Sequence, residues 1–171
     1  MCFSAIISIL FANAFSPVIA EAVSADYPAV LLRISTHDNS RHINISGYDD
    51  KSEVVASELK NTLNESWRFY YVGTDNNGSF HRITNMGTGR VLTPSGYSVT
   101  DGGSCIIFGN EGARSQYWYV ISVDKDSYGT DLHYRIVNYG NTSLALTNSS
   151  NKIVLSSYSG KNEQKWLLNA V

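Results

Sequence analysis

Charge is scarce in this chain and evenly split. Lys, Arg, Asp and Glu make up 16% of its 171 residues, 13 basic against 15 acidic, for a formal net charge of −2. No run of Lys and Arg is present to neutralise a series of phosphates, so nucleic acid is not an expected partner. Histidine occurs at 37, 42, 81 and 133, with no H-x-x-x-H or Cys/His spacing, and no metal centre is expected. No G-x-S-x-G elbow, Walker loop or dinucleotide fingerprint occurs, so neither a catalytic residue nor a cofactor is expected. Asp124-x-Asp126 with Gly129 lacks the remaining ligands of a calcium loop and reads as a solvated hairpin. The adjacent carboxylates Asp49-Asp50 sit in a polar loop, where solvation is the default.

Long apolar runs are missing too, with one exception. Residues 3–20 carry no charge and are mostly apolar, the pattern of a secretory h-region, and small residues follow at Val18/Ala20 and Val23/Ala25. A signal peptide over residues 1–25, cleaved after Ala20 or Ala25, and a secreted product are expected. No later segment is long enough to span a bilayer. Cysteine is nearly absent: with Cys2 in the signal, Cys105 stands alone and no internal disulfide is possible. Its neighbours Ile106 and Ile107 suggest a buried structural thiol. Asn-x-Ser/Thr acceptor sites lie at Asn44, Asn64, Asn77, Asn141 and Asn148, relevant only in a eukaryotic secretory route.

What is abundant is Tyr, Ser, Asn, Thr and Gly, a mixture suited to β-strands joined by turns. It is also periodic. Three tryptophans each follow a Gln or Glu by two residues, in Glu65-Ser66-Trp67, Gln116-Tyr117-Trp118 and Gln164-Lys165-Trp166, at intervals of 51 and 48. A second marker keeps the same beat: Arg33-Ile34, Arg82-Ile83 and Arg135-Ile136. Two markers in phase predict one small all-β unit copied three times, over about 27–73, 80–123 and 132–171 of a single domain at 26–171.

Each unit opens with a strand around Arg-Ile. A second follows at His42-Ile43-Asn44-Ile45, Arg90-Val91-Leu92-Thr93 and Leu144-Ala145-Leu146-Thr147. A third runs through Glu53-Val54-Val55-Ala56, Cys105-Ile106-Ile107-Phe108 and Lys152-Ile153-Val154-Leu155. The tryptophan strand is the fourth. Asp75-Asn76-Asn77-Gly78 and the stretch from 124 to 129 are turn signals between units. Residues 49–63 mix charged and apolar positions and are compatible with a helical turn. Four short strands cannot bury their apolar faces alone; three copies close six strands into a barrel capped by three hairpins, with the tryptophans in the shared core.

The tripled Q-x-W, with Arg82-Ile83-Thr84-Asn85, Arg135-Ile136-Val137-Asn138 and Thr88-Gly89-Arg90-Val91-Leu92, resembles the ricin B-type β-trefoil lectins, in particular their disulfide-free members. The resemblance is strongest in units two and three; in unit one Glu65 replaces the Gln. It implies binding, not catalysis: galactose-type or other sugars held in shallow pockets, up to one per unit. Such a pocket takes an Asp late in the second strand, an aromatic platform after the third, and an Asn just before Q-x-W.

Here the Asp position is held by Asn44, Thr93 and Thr147. The aromatic position holds Phe108 in unit two and has Tyr158 nearby in unit three, whereas unit one has Ser57. Asn64 precedes the Trp motif of unit one; Ser115 and Glu163 replace it in the others, with Asn110 and Asn162 close by. The resemblance therefore implies carbohydrate-binding residues Thr93, Phe108 and Asn110 in unit two, and Thr147, Tyr158 and Asn162 in unit three. The expected function is a secreted, non-catalytic carbohydrate-binding protein, alone or as a targeting subunit of a toxin or larger complex. The alternatives are a protein-binding module such as a protease inhibitor, acting through loops such as Asp38-Asn39-Ser40-Arg41 and Asp49-Asp50-Lys51-Ser52, or a scaffold that has lost sugar binding.

Overall fold

The computed structural model describes residues 29–171. The expected signal peptide at 1–25, with both cleavage positions, lies outside them. The described chain is all β apart from short 3-10 turns. Twelve strands follow in order: β1 (Val30–Thr36), β2 (His42–Ile45), β3 (Val54–Ser57), β4 (Ser66–Asp75), β5 (Gly78–Asn85), β6 (Val91–Pro94), β7 (Cys105–Phe108), β8 (Tyr117–Lys125), β9 (Asp131–Asn138), β10 (Asn141–Ser149), β11 (Lys152–Ser157) and β12 (Trp166–Ala170). Residues 49–63 hold β3 and no α-helix. A 3-10 turn begins at the last of them, spanning Leu63–Glu65, and it recurs at Arg114–Gln116 and Asn162–Gln164, ahead of each tryptophan strand.

The pairing explains why three units are needed. Strands β1, β4, β5, β8, β9 and β12 pair antiparallel each with the next, and β12 returns to β1, closing a six-stranded ring without free edges. The hairpins β2–β3, β6–β7 and β10–β11 lie outside that ring, each joined to it through its first strand. They are stitched to one another: Lys152 pairs with Val55, Glu53 bridges to Ile106, and Ser104 bridges to Val154. The chain is a β-trefoil, a barrel capped by a triangle of hairpins.

The tryptophans hold barrel and cap together. Trp67, Trp118 and Trp166 are each 0% exposed. A buried indole N–H left unpaired costs about 1–3 kcal/mol, and each finds the same partner, the carbonyl one turn inside its own cap hairpin: Ile43 at 2.9 Å, Leu92 at 3.1 Å and Leu146 at 3.0 Å. Around them pack Ile34, Ile83 and Ile136 from the Arg-Ile strands and Ile43, Leu92 and Leu146 from the hairpins, all fully buried. Cys105 lies in the same core with no exposure, and burial pushes its thiol up to about 12. Asp126 accepts the Tyr128 and Thr130 amides at 2.8 and 2.9 Å, so this carboxylate closes the β8–β9 turn.

Candidate functional site

The residue two before each tryptophan is buried and organises the loop in front of it. Gln116 accepts the Glu111 amide at 3.0 Å and donates to the Gly109 carbonyl at 2.8 Å and the Thr93 hydroxyl at 3.0 Å. Gln164 repeats this with the Ser159 amide (2.7 Å), the Ser157 carbonyl (3.0 Å) and Thr147 (3.2 Å). Glu65 has no N–H to donate, and its partners change accordingly. It accepts the Lys60 amide at 2.8 Å and the Thr62 amide at 3.1 Å, and the position of Thr93 and Thr147 is taken by Asn44, whose side-chain amide donates to Glu65 at 3.3 Å. Donor and acceptor have been exchanged as a pair.

This network fixes what Thr93 and Thr147 do. Each hydroxyl donates to the carbonyl two residues back, Val91 or Ala145, both at 2.9 Å, while accepting from its Gln. Thr93 is 1% exposed. Both threonines form the floors of cavities with their hydroxyls already engaged inside the protein.

The cavity over Thr93 has a volume of about 450 Å³ and is lined by Lys51, Thr93, Gly96, Tyr97, Ile106 and Phe108, together with Ser95. Phe108 and Tyr97 meet edge to face, with centroids 5.7 Å apart. Tyr97 was not foreseen from the sequence. It is presented by an unusual backbone: Gly96 and Tyr97 both have positive φ, 64° and 58°, the left-handed region a tyrosine rarely adopts. Its phenol is shifted above the ordinary tyrosine range by partial desolvation, and the Glu111 and Asp50 carboxylates add to that shift. Asp50 is held by Arg90 at 2.6 Å. An aromatic wall and the Lys51 ammonium thus border a floor that includes Thr93 and Ile106, with the Glu111 and Asp50 carboxylates near the tyrosine; such a pocket can stack a ring face on its wall and bond polar groups at its rim.

The groove over Thr147 is larger, about 520 Å³, and polar, with Asp101, Ser157, Lys161 and Glu163 on its walls. Asp101 comes from the preceding unit and accepts from the Ser157 hydroxyl at 2.9 Å and its amide at 3.3 Å. Thus a carboxylate reaches this groove from a loop of unit two.

The structure brings Thr93 and Phe108 together but places Asn110 elsewhere, in a neighbouring hollow on the barrel wall, where its side chain also caps the Gly112 amide at 3.3 Å. Tyr158 does not line the groove over Thr147; its ring lies under the Arg135 guanidinium at 4.6 Å and packs against the cluster of Tyr119, Val137 and Ala145. Asn162 opens onto a third hollow beside His37 and Asp38. Ser35 and His42 are within 2.8 Å, a spacing a hydrolase would use, but they are 0% and 6% exposed and no substrate can reach them.

The family model for ricin-type beta-trefoil lectin domain-like proteins matches residues 63–152, more than half of the chain, and the protein belongs to that family. Among solved structures, the designed threefold-symmetric protein ThreeFoil is similar with a TM-score of 0.69 at 18% identity, covering 82% of this chain and 99% of that one. The Macrolepiota procera ricin B-like lectin in complex with lactose gives 0.68 at 16% identity, covering 86% of this chain and 100% of that one. A mosquitocidal holotoxin gives 0.67 at 19% identity; the match covers 84% of this chain and 17% of the toxin. No curated protein matches the chain by sequence.

Proposed function

We propose that the protein is a secreted carbohydrate-binding protein that holds its ligand without chemical change, with the cavity between Phe108, Tyr97 and Thr93 as the principal site. One observation carries the reading. Phe108 and Tyr97 build an aromatic corner over that cavity, and Tyr97 is held there in a left-handed backbone conformation, a strained state of the kind that clusters at ligand clamps. Membership of a lectin-domain family supports the ligand class. The groove over Thr147, lacking an aromatic wall, is a weaker second site. The domain acts alone or as the targeting part of a larger assembly.

A glycan array with the mature chain tests this, alongside Phe108→Ala and Tyr97→Ala. Both variants are expected to lose binding while keeping the thermal midpoint within a few degrees; Tyr158→Ala is expected to bind as the parent does. Binding that survives both aromatic substitutions refutes the site. No glycan binding, together with tight inhibition of a protease, refutes the carbohydrate reading. Sequencing the N-terminus of the secreted product tests removal of residues 1–25.

A further inference from the structure

The threefold repeat provides an internal comparison on the outer barrel wall. At each junction one residue after the tryptophan pairs across to the residue after Arg-Ile, which in turn pairs with the start of the cap hairpin. In one junction these are Leu167, Ser35 and His42; in the next Tyr119, Val137 and Ala145; in the last Arg68, Thr84 and Val91. The first is closed by the Ser35–His42 hydrogen bond at 2.8 Å. The second is closed by apolar contact, Tyr119, Val137 and Ala145 forming one buried cluster.

The third junction is not closed. It opens into a cavity of about 250 Å³ lined by Arg68, Tyr70, Arg82, Thr84 and Asn110, with Asn85 at its edge. Thr84 is 9% exposed, and its hydroxyl has no hydrogen-bond partner among the described residues; neither has the buried Nε of Arg68. Arg82 is held over the Tyr70 ring at 4.7 Å. Neither arginine pairs with a carboxylate among the described residues, and no carboxylate lines the cavity. Buried donors without partners are costly, and two unpaired guanidiniums on a shared wall repel each other. An anion between them relieves both. Their forked N–H groups fit a planar carboxylate or a sulfate in bidentate fashion.

We propose that this cavity is an anion-recognition site for the carboxylate or sulfate of an acidic saccharide, with Arg68 and Arg82 as charged donors and Thr84 as a neutral one. The saccharide part of this proposal rests on the carbohydrate-binding reading above; the anion site itself does not. Asn110, which the sequence associates with the Thr93 pocket, belongs to this one.

The test titrates the full chain with sodium sulfate at fixed ionic strength, then with lactose, sulfated lactose and sialylated lactose. The readouts are the arginine Nε–H resonances and calorimetry. Sulfate is expected to shift the Arg68 and Arg82 resonances saturably, and the acidic saccharides to bind more tightly than lactose. Arg82→Gln and Arg68→Gln should each weaken sulfate binding roughly tenfold or more, since each removes a charge-assisted pair. Phe108→Ala should leave sulfate binding intact. Arg82→Gln removes a half-buried guanidinium that lies over Tyr70 and makes no ion pair among the described residues, so it guards against loss of folding in Arg68→Gln. A wild-type chain without saturable arginine shifts, or folded arginine variants that bind sulfate as the parent does, overturns the anion site even if lactose binds at Phe108. Sulfate binding without binding of either acidic saccharide overturns the acidic-sugar assignment and reduces the cavity to a site for the free anion; the carbohydrate reading is decided separately, by the glycan array.

Discussion

Glu65→Gln is the most conservative change the threefold repeat invites, because it restores the residue present at 116 and 164. It is nonetheless expected to destabilise the protein. Both carboxylate oxygens are acceptors here, for the Lys60 and Thr62 amides and for the Asn44 side chain, and Glu65 is 0% exposed. Replacing one oxygen by an NH2 group sets two donors face to face and leaves a buried amide unpaired, at a cost of about 2 kcal/mol. For a domain of this size that lowers the thermal midpoint by roughly 4–8 °C. Asn44→Thr alone also destabilises, because it removes the donor to Glu65 and the bonds to Ser57 at 3.0 Å and to the Ile45 amide at 2.7 Å. Combining the two recreates the Gln–Thr pair of the other units, so the double variant should be more stable than the sum of the singles by about 1 kcal/mol. Urea unfolding at neutral pH, followed through the three buried tryptophans, measures all four corners of the cycle. Strict additivity, or a Glu65→Gln protein as stable as the parent, refutes the claim that donor and acceptor were exchanged as a pair.

Three further outcomes are expected. Burial lowers the His81 imidazole to about 4; its unfolded value is about 6.5, so the unfolded chain takes up a proton first and stability falls as pH drops from 6.5 toward 4. The loss at pH 5 is about 2 kcal/mol, and His81→Leu should flatten most of this slope in urea midpoints, the buried His42 supplying the rest. Cys105, fully buried with its thiol raised to about 12, should react with iodoacetamide only as fast as the protein unfolds; rapid labelling of native protein would contradict the core placement. Tyr97→Gly relieves a left-handed backbone but removes half of the aromatic corner. Its stability should therefore stay within about 1 kcal/mol of the parent, while glycan binding falls.

The fold was legible because its signals are repeated and backbone-local. Trp67, Trp118 and Trp166 with the Arg-Ile strands set the period, and burying them in one place leaves little choice of architecture. The helical turn allowed at 49–63 is absent because Val54 and Ala56 pair with Ile45 and Ile43; that cross-strand partner is far from a local reading. The binding surface was less legible for the same reason. Phe108, at the end of the third strand of its unit, could be named through the family resemblance, but Tyr97 depends on two left-handed residues in a loop, and Asp101 on a loop from another unit. Asn110 and Tyr158 are adjacent in sequence to the expected pockets, yet Asn110 turns to another hollow and Tyr158 packs under Arg135. Arg68 and Thr84 gave no signal by type; only their register across β4–β5 brings them together.

The loops between the second and third strands of the units project forward onto the next unit. The Lys51 amide donates to the Ile107 carbonyl and the Gly102 amide to the Leu155 carbonyl, while the Ala56 amide of unit one donates to the Asn151 carbonyl of unit three. Lys51 thereby lines the cavity of unit two and Asp101 the groove of unit three. Each cavity is thus a seam between successive units. A ligand seated there fastens two units to each other, so occupancy should stiffen the whole ring, and a unit cut out of the chain would carry only half of a site. If the proposed site is the working one, specificity can then drift through substitutions in a unit other than the one that supplies the aromatic corner.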